Sequence, residues 1–376
     1  MLYRKLLKPI LFRFDPEFVH DRFINFGEFL GDHEITRAAT NMIYGYNGRD
    51  IGKTVDGIKY RTPVLLAAGF DYNARLCGIL PCVGFGGEEV GSVTARPCAG
   101  NPKPRLQRLP KSRSIVVNKG LKNDGVDVII ERLKAVHATA ASASERATGV
   151  ERSEAGCETF RCGGKGEAGF VVGISIARTN DEKSATVETG VEDYAYSFRR
   201  LNEENVGDYY TINISCPNAF GGEAFATPEL LDKLLARLKQ IPCNKPVYVK
   251  MPINLAWDQF KALLDIIDMY GLNGVVIGNL NKDYGSLDVG GEAPPEYQGG
   301  LSGKPCAKLS DELIRKTRQT YGKRFTIIGA GGVMSPEDAA AKFKAGADLL
   351  QLITGMIFGG PGLIKNILQK SDINML

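Results

Sequence analysis

From Pro63 onward the chain repeats one unit, a short apolar run followed by a helical pattern, eight times over, and this alternation predicts a (β/α)8 barrel with a short amino-terminal helical extension. A second observation agrees with it. Small and polar residues gather just past the ends of the apolar runs, at the carboxyl ends of strands where barrel enzymes carry their chemistry. A doubly wound parallel sheet is the alternative fold for the same alternation.

At 376 residues and 43% hydrophobic, the chain suits one large domain with an appendage. A net charge of +4, set against 47 basic and 43 acidic side chains, makes no case for nucleic acid. The eight cysteines show no metal-ligand or disulfide spacing, which fits a reducing, cytosolic setting, and no metal is expected. No run is long enough to span a membrane and no cleavable signal is visible, so the expectation is a soluble or peripheral protein.

The amino terminus carries Leu2, Leu6, Leu7, Ile10, Leu11 and Phe14 at helical spacing beside Arg4, Lys5, Lys8 and Arg13. After Asp15-Pro16, a second segment carries Phe18, Val19, Phe23, Phe26, Phe29 and Leu30. Residues 1–40 therefore read as an amphipathic extension, either an interfacial anchor or a helical lid, and 41–376 as the barrel. Strands are expected at 64–68, 89–93, 170–176, 209–214, 247–251, 274–277, 325–329 and 349–353. The expected helices lie at 73–80, 126–136, 191–203, 228–240, 257–270, 307–321, 336–345 and 361–368. Residues 138–168, rich in Ala, Ser, Thr, Glu and Gly and including Cys157 and Cys162, read as a surface insertion. The Gly- and Pro-rich connection 281–302 is expected to close over the barrel mouth.

The most informative stretch runs Thr211-Ile212-Asn213-Ile214-Ser215-Cys216-Pro217-Asn218-Ala219-Phe220-Gly221-Gly222. Pro217 cannot continue a central ladder, so the amides and the thiol sit at a strand end. Thr227-Pro228 then starts the next helix, with Thr227 able to cap it. Cys216 among asparagines suits removal of a proton from a carbon acid, because a thiol titrates near ~8.5 and acts as a base close to neutral pH. Lys250, inside the barrel, either meets a ligand or makes a structural ion pair. Gly331-Gly332 before the Ser335 helix start, with Thr354-Gly355, can present bare amide N–H groups to a phosphate dianion.

Six segments in order carry a resemblance: Leu66-Ala67-Ala68-Gly69-Phe70-Asp71, Gly91-Ser92-Val93-Thr94-Ala95-Arg96-Pro97, Gly100-Asn101-Pro102-Lys103-Pro104-Arg105, Asn213-Ile214-Ser215-Cys216-Pro217-Asn218, Gly299-Gly300-Leu301-Ser302-Gly303-Lys304-Pro305 and Ile328-Gly329-Ala330-Gly331-Gly332. The chain resembles the FMN-containing dihydroorotate dehydrogenases, and Phe12-Arg13-Phe14-Asp15-Pro16-Glu17 resembles the extension of their membrane-associated, quinone-using branch. The resemblance implies oxidation of dihydroorotate to orotate in pyrimidine synthesis, with hydride passing to FMN and electrons to a membrane quinone. The setting it implies is peripheral, at the cytoplasmic face of the membrane. It makes Cys216 the catalytic base and gives the pyrimidine to Asn118, Asn213, Asn218 and Asn279. FMN falls to Ala68, Gly69, Ser92, Asn213, Lys250, Gly278, Gly303, Gly331, Gly332, Thr354 and Gly355. Three departures stand out. Cys216 is the base of the soluble branch, whereas the quinone branch uses serine. Asp71-Tyr72 stands where the quinone branch has Asp-Lys, and Ser92 where the soluble branch has its lysine, which leaves Lys119 as a candidate cation for the substrate. The segment Asn118-Lys119-Gly120-Leu121-Lys122-Asn123 is one residue shorter than the family pattern. Rival readings are an FMN oxidoreductase of another reduced pyrimidine, including tRNA dihydrouridine, and a membrane-docked flavin-binding module without turnover.

Overall fold

The computed structural model describes residues 3–136, 169–216, 225–283, 285, 287, 289, 291–293 and 299–370. Helices α1 (Lys8–Leu11), α2 (Pro16–Asp32) and α3 (Glu34–Tyr44) lead into a hairpin of β1 (Lys53–Val55) and β2 (Ile58–Tyr60). The barrel begins with β3 (Val64–Leu66) and β4 (Gly87–Val93), and the antiparallel pair β5 (Leu106–Leu109) and β6 (Ser114–Val117) follows. Next come β7 (Val171–Ile176), β8 (Tyr209–Asn213), β9 (Val247–Met251), β10 (Gly274–Ile277), the short β11 (Gly300–Gly303), β12 (Thr326–Ala330) and β13 (Leu349–Leu352). The parallel strands β3, β4, β7, β8, β9, β10, β12 and β13 pair in that order, and β13 closes onto β3 by setting Leu350 beside Val64 and Leu352 beside Leu66. These are the eight expected strands, and their closure rules out the open-sheet alternative.

Among the described residues, further helices clothe the barrel: one at 126–136 (α4), α5 (Val187–Glu203), α6 (Pro228–Leu238), α7 (Trp257–Met269), α8 (Ala307–Tyr321), α9 (Pro336–Ala345), the short α10 (Thr354–Gly359) and α11 (Gly362–Lys370). Ser335 accepts from the Asp338 amide and caps α9 as expected, while Thr227 stands at the N-cap of α6 without making a side-chain bond. The helix expected at 73–80 is not formed. Asp71 accepts from the backbone N–H groups of Asn73 and Leu76 and folds the segment into turns, with a single 3₁₀ turn at Leu80–Val83. The tail of the 281–302 connection is a strand: β11 joins β6 and β5 in a three-stranded sheet. The 138–168 insertion lies outside the described residues.

The period of two along each strand sorts the barrel interior into layers. Tyr209, Tyr248, Val276, Ile328 and Leu349 form the bottom apolar layer, sealed below by Val55 and Tyr60 of the β1–β2 hairpin. Two residues further along, the same faces carry Thr211, Lys250 and Gln351, and β8 reaches Asn213 two residues beyond that. The outward faces pack on the helices in the main core. The alternation of layers lifts polar side chains to the carboxyl end.

The leading helices are docked on this end by specific devices. Backbones of α2 and the 76–79 turn approach so closely that a Cβ at Gly31 would lie 3.1 Å from the Gly78 carbonyl carbon, and one at Gly78 2.9 Å from the Gly31 oxygen. Glu17, buried on the inner side of α2, accepts from Arg105 Nε at 2.9 Å and faces Lys122 Nζ at 3.5 Å. Arg75 reaches back to Glu28 and Asn25. Phe18, Phe23, Phe26 and Phe29 stay exposed, with Leu6, Leu7, Ile10 and Phe14 also exposed on the leading segments. Helix α3 runs on to Tyr44, so the leading helical segment extends past residue 40.

Candidate active site

One continuous cavity of about 580 Å³ starts between the leading helices and the barrel and ends at the carboxyl ends of the strands. Its deep end is polar. Asn213 Nδ2 donates to Ser92 Oγ at 2.8 Å, and Ser92 Oγ lies 2.8 Å from Ser175 Oγ. Asn213 Oδ1 accepts from the Ser215 amide and hydroxyl, both at 3.2 Å, and Tyr194 donates to the Asn213 carbonyl at 2.6 Å. Asn279 Nδ2 donates to Ser215 Oγ at 2.6 Å and to the Ser215 carbonyl at 2.8 Å. Ser215 thus ties the ends of β8 and β10 together and fixes both asparagines before any ligand arrives. Cys216 follows at once, half-buried and lining the cavity.

Below this layer Lys250 Nζ lies 3.8 Å from Glu89 Oε1, too far for a hydrogen bond, with both side chains buried. The other Glu89 oxygen accepts from Thr211 and Gln351, each at 2.8 Å, whereas Oε1 has no hydrogen-bond partner among the described residues. The Lys250 ammonium is thus loosely paired with Glu89, and the residue lines the cavity.

Glycines form the third wall. Gly303 (φ +92°), Gly331 (φ +90°) and Gly332 (φ +76°) adopt a backbone that side chains avoid, and a Cβ at Gly332 would sit 2.5 Å from Ala307 Cα. Together with Gly355, Thr354 and Ser302, whose hydroxyls lie 2.8 Å apart, they leave bare backbone along the cavity. Ala68, Gly69 and Gly278 also line it.

Among the described residues the expected ones line this cavity, with one difference. Asn118 is not among the cavity-lining residues. Its side chain accepts from Asn101 Nδ2 at 2.8 Å, Asn180 donates to that Asn101 side chain at 2.9 Å, and Val117 and Lys119 supply the wall instead. Asn218 lies outside the described residues.

The mouth of the cavity was not foreseen in detail. Arg108 donates to the carbonyls of Leu11 (3.2 Å) and Phe14 (3.0 Å) and packs on the Phe12 ring. His20, held below the ordinary imidazole value chiefly by burial, is hydrogen-bonded to the Phe70 carbonyl at 2.8 Å and stacks on Tyr72. Both face the cavity from elements far apart in sequence, which is why no local pattern announces them.

Residues 51–375 match the family model described as Dihydroorotate dehydrogenase. The chain belongs to the dihydroorotate dehydrogenase family. It is similar to a protein of Thermosynechococcus vestitus named dihydroorotate dehydrogenase (quinone), 32% identical over 98% of this chain and 95% of that one. A protein of the same name from Christiangramia forsetii is 33% identical, with 98% of each chain covered. A solved structure of ligand-free DHODH from Eimeria tenella superposes with a TM-score of 0.75 at 25% identity, covering 96% of this chain and 95% of that one.

The family is FMN-dependent, and the residues present fit that group. The glycine wall offers backbone N–H groups to a phosphate, and around Gly331 a Cβ would meet nothing nearer than 3.7 Å. Lys250 and Asn213 would hold the polar edge of the ring.

Proposed function

We infer that the protein oxidises dihydroorotate to orotate and delivers the electrons to a membrane quinone. The observation that carries this reading is the single cavity that joins the thiol, the paired asparagines and the glycine wall to a groove under apolar helices. Asn213 and Asn279, oriented through Ser215, hold the pyrimidine amide edge. Cys216 takes the proton from the ring carbon next to the one that loses hydride, so the substrate loses two hydrogens and two electrons and gains a double bond. FMN, when bound, would supply the hydride acceptor and the two-electron link to quinone. The ammonium of Lys250 would help hold it and would favour negative charge developing on its reduction.

The outward aromatic residues of α2 and the leading turns, flanked by Lys5, Lys8 and Arg13, suit a peripheral seat on the cytoplasmic face of a membrane, and the groove beneath them suits a quinone arriving from that surface. No helix among the described residues is long and apolar enough to cross a membrane.

Anaerobic mixing of the flavin-loaded protein with dihydroorotate tests the reaction: the flavin should bleach, then recover when a short-chain quinone is added. A flavin that stays oxidised overturns the reading. Removing residues up to Gly31 should weaken vesicle binding and quinone reduction while leaving bleaching by substrate intact. Efficient turnover with fumarate or NAD instead of quinone would reassign the acceptor.

A further inference from the structure

Lys119 is the unexplained charge of the cavity. Its side chain is nine-tenths buried, lines the cavity, and has no hydrogen-bond acceptor among the described residues. An ammonium in that condition is costly unless something answers it. The acids near it are already engaged. Glu17 is taken by Arg105 and Lys122, with Lys103 at 3.8 Å, and Asp21 lies 3.3 Å from the His20 ring and accepts from the Tyr72 hydroxyl at 3.5 Å. What holds the ammonium in place is an aromatic face: its Nζ lies 4.7 Å from the centroid of the Tyr72 ring.

Tyr72, where the resemblance would place a lysine, and Lys119 both line the cavity, so the 118–123 segment brings a cation to the wall beside the 71–72 turn.

Resting on the proposed reaction, we propose that the Lys119 ammonium receives the carboxylate of dihydroorotate and so selects a carboxylated pyrimidine over an uncharged one. Burial lowers its pKa to about 8, with Glu17 and Asp21 opposing that and Lys122 and Arg105 adding to it, so the group is cationic at neutral pH and ready to pair. The neutral quinone that shares the cavity gives no such group its counterion.

The test is titration of the FMN-loaded, full-length protein with orotate and with uracil, its counterpart without the carboxylate, followed through the flavin absorbance. Wild type should bind orotate far more tightly than uracil. Lys119→Met should raise the orotate Kd about 10- to 100-fold, the range for one lost charge-assisted hydrogen bond, and leave the uracil Kd and the flavin content unchanged. Tyr72→Lys combined with Lys119→Met should restore the preference for orotate, which a merely structural role for Lys119 would not do. An orotate Kd in Lys119→Met within twofold of wild type overturns the proposal, and so does equal weakening of both ligands, which would assign the lysine to the flavin or the fold. If the methionine variant does not fold, Lys119→Gln decides by the same ratio. Wild type that neither binds orotate nor is reduced by dihydroorotate overturns the assigned reaction itself. That result is distinct from an intact reaction whose selectivity ignores Lys119.

Discussion

The two ends of the one cavity are built on opposite rules. At the strand ends, Asn213, Asn279, Ser92 and Ser215 hold one another through hydrogen bonds of 2.6–3.2 Å, and the backbone is pinned by glycines in conformations other residues avoid. At the helical end the lining is mostly apolar, the aromatic side chains of α2 turn half outward, and a few ionic contacts such as Glu17–Arg105 fasten the helix. Proton and hydride removal needs groups fixed in advance, because reorganisation at the moment of reaction raises the barrier. Exchange of a hydrophobic electron acceptor needs access to an apolar surface. The contrast implies that damage at the deep end abolishes chemistry, while damage at the helical end impairs delivery.

The largest effect should come from the glycine wall. Gly332→Asp adds a Cβ that meets the Ala307 backbone, demands a left-handed φ and sets a carboxylate against a phosphate, so the purified variant should retain no flavin. Gly271→Asp, at a turn where a Cβ meets nothing within 4 Å, should keep a full complement by the absorbance ratio. Normal flavin content in Gly332→Asp would move the phosphate elsewhere.

Cys216→Ala should retain FMN and bind orotate but slow flavin reduction by dihydroorotate about 10²- to 10⁴-fold, as expected for a lost general base. Stopped-flow reduction across pH is the measurement, and a wild-type rate would make Cys216 a packed thiol at a strand end. Cys216→Ser should fall between the two only if the site can activate a hydroxyl.

At the helical end the effects should be smaller and of another kind. Phe14 and Phe29 are more than half exposed and do not line the cavity, so serine at both sites should not disturb the fold. Losing that partial burial should weaken vesicle binding about 30-fold and lower quinone turnover at limiting membrane, with the rate of flavin bleaching unchanged. Unaltered vesicle binding would leave these helices as a lid alone.

The same contrast explains what could be read in advance. All eight barrel strands were legible because strands buried on both faces are apolar runs, and α8 and α9 were bounded correctly by their Gly, Ser and Pro signals. The 73–80 segment was misread because a single carboxylate, Asp71, outweighs helical spacing by capping two amides. The hairpin β1–β2 and the strands β5, β6 and β11 span three or four residues each, too short for a period to show. Residues that line the cavity were legible where they lie in one strand-end motif, as Asn213 and Cys216 do. They were not where the decisive relation joins distant segments: Glu89 beneath Lys250, Lys119 on Tyr72, and Asn101 drawing Asn118 aside.

The smallest expected effect tests how the helical end is fastened. Arg105, Lys119 and Lys122 hold the Glu17 carboxyl below its ordinary value despite the opposing effect of its burial, and the His20 hydrogen bond holds Asp21 at about 2. A carboxylate whose pKa is depressed in the folded state adds stability that is complete above its unfolded value, ~4 for these groups, and disappears as pH falls through the folded value. The docking of α2 should therefore weaken first as pH falls below ~6.5, because burial keeps His20 neutral and resists its protonation, and again between about 4 and 2 as the two carboxyls are protonated. Glu17→Gln keeps the shape and one acceptor oxygen for Arg105, so at pH 7 only the charge is lost. Protection of the 16–32 amides, corrected for intrinsic exchange, should drop about five- to tenfold. The variant's remaining pH dependence should be the part due to His20 and Asp21. If acid and the Gln variant leave those amides as protected as in wild type at pH 7, the glycine contacts at Gly31 and Gly78 hold the helix, and the ion pair only aligns it.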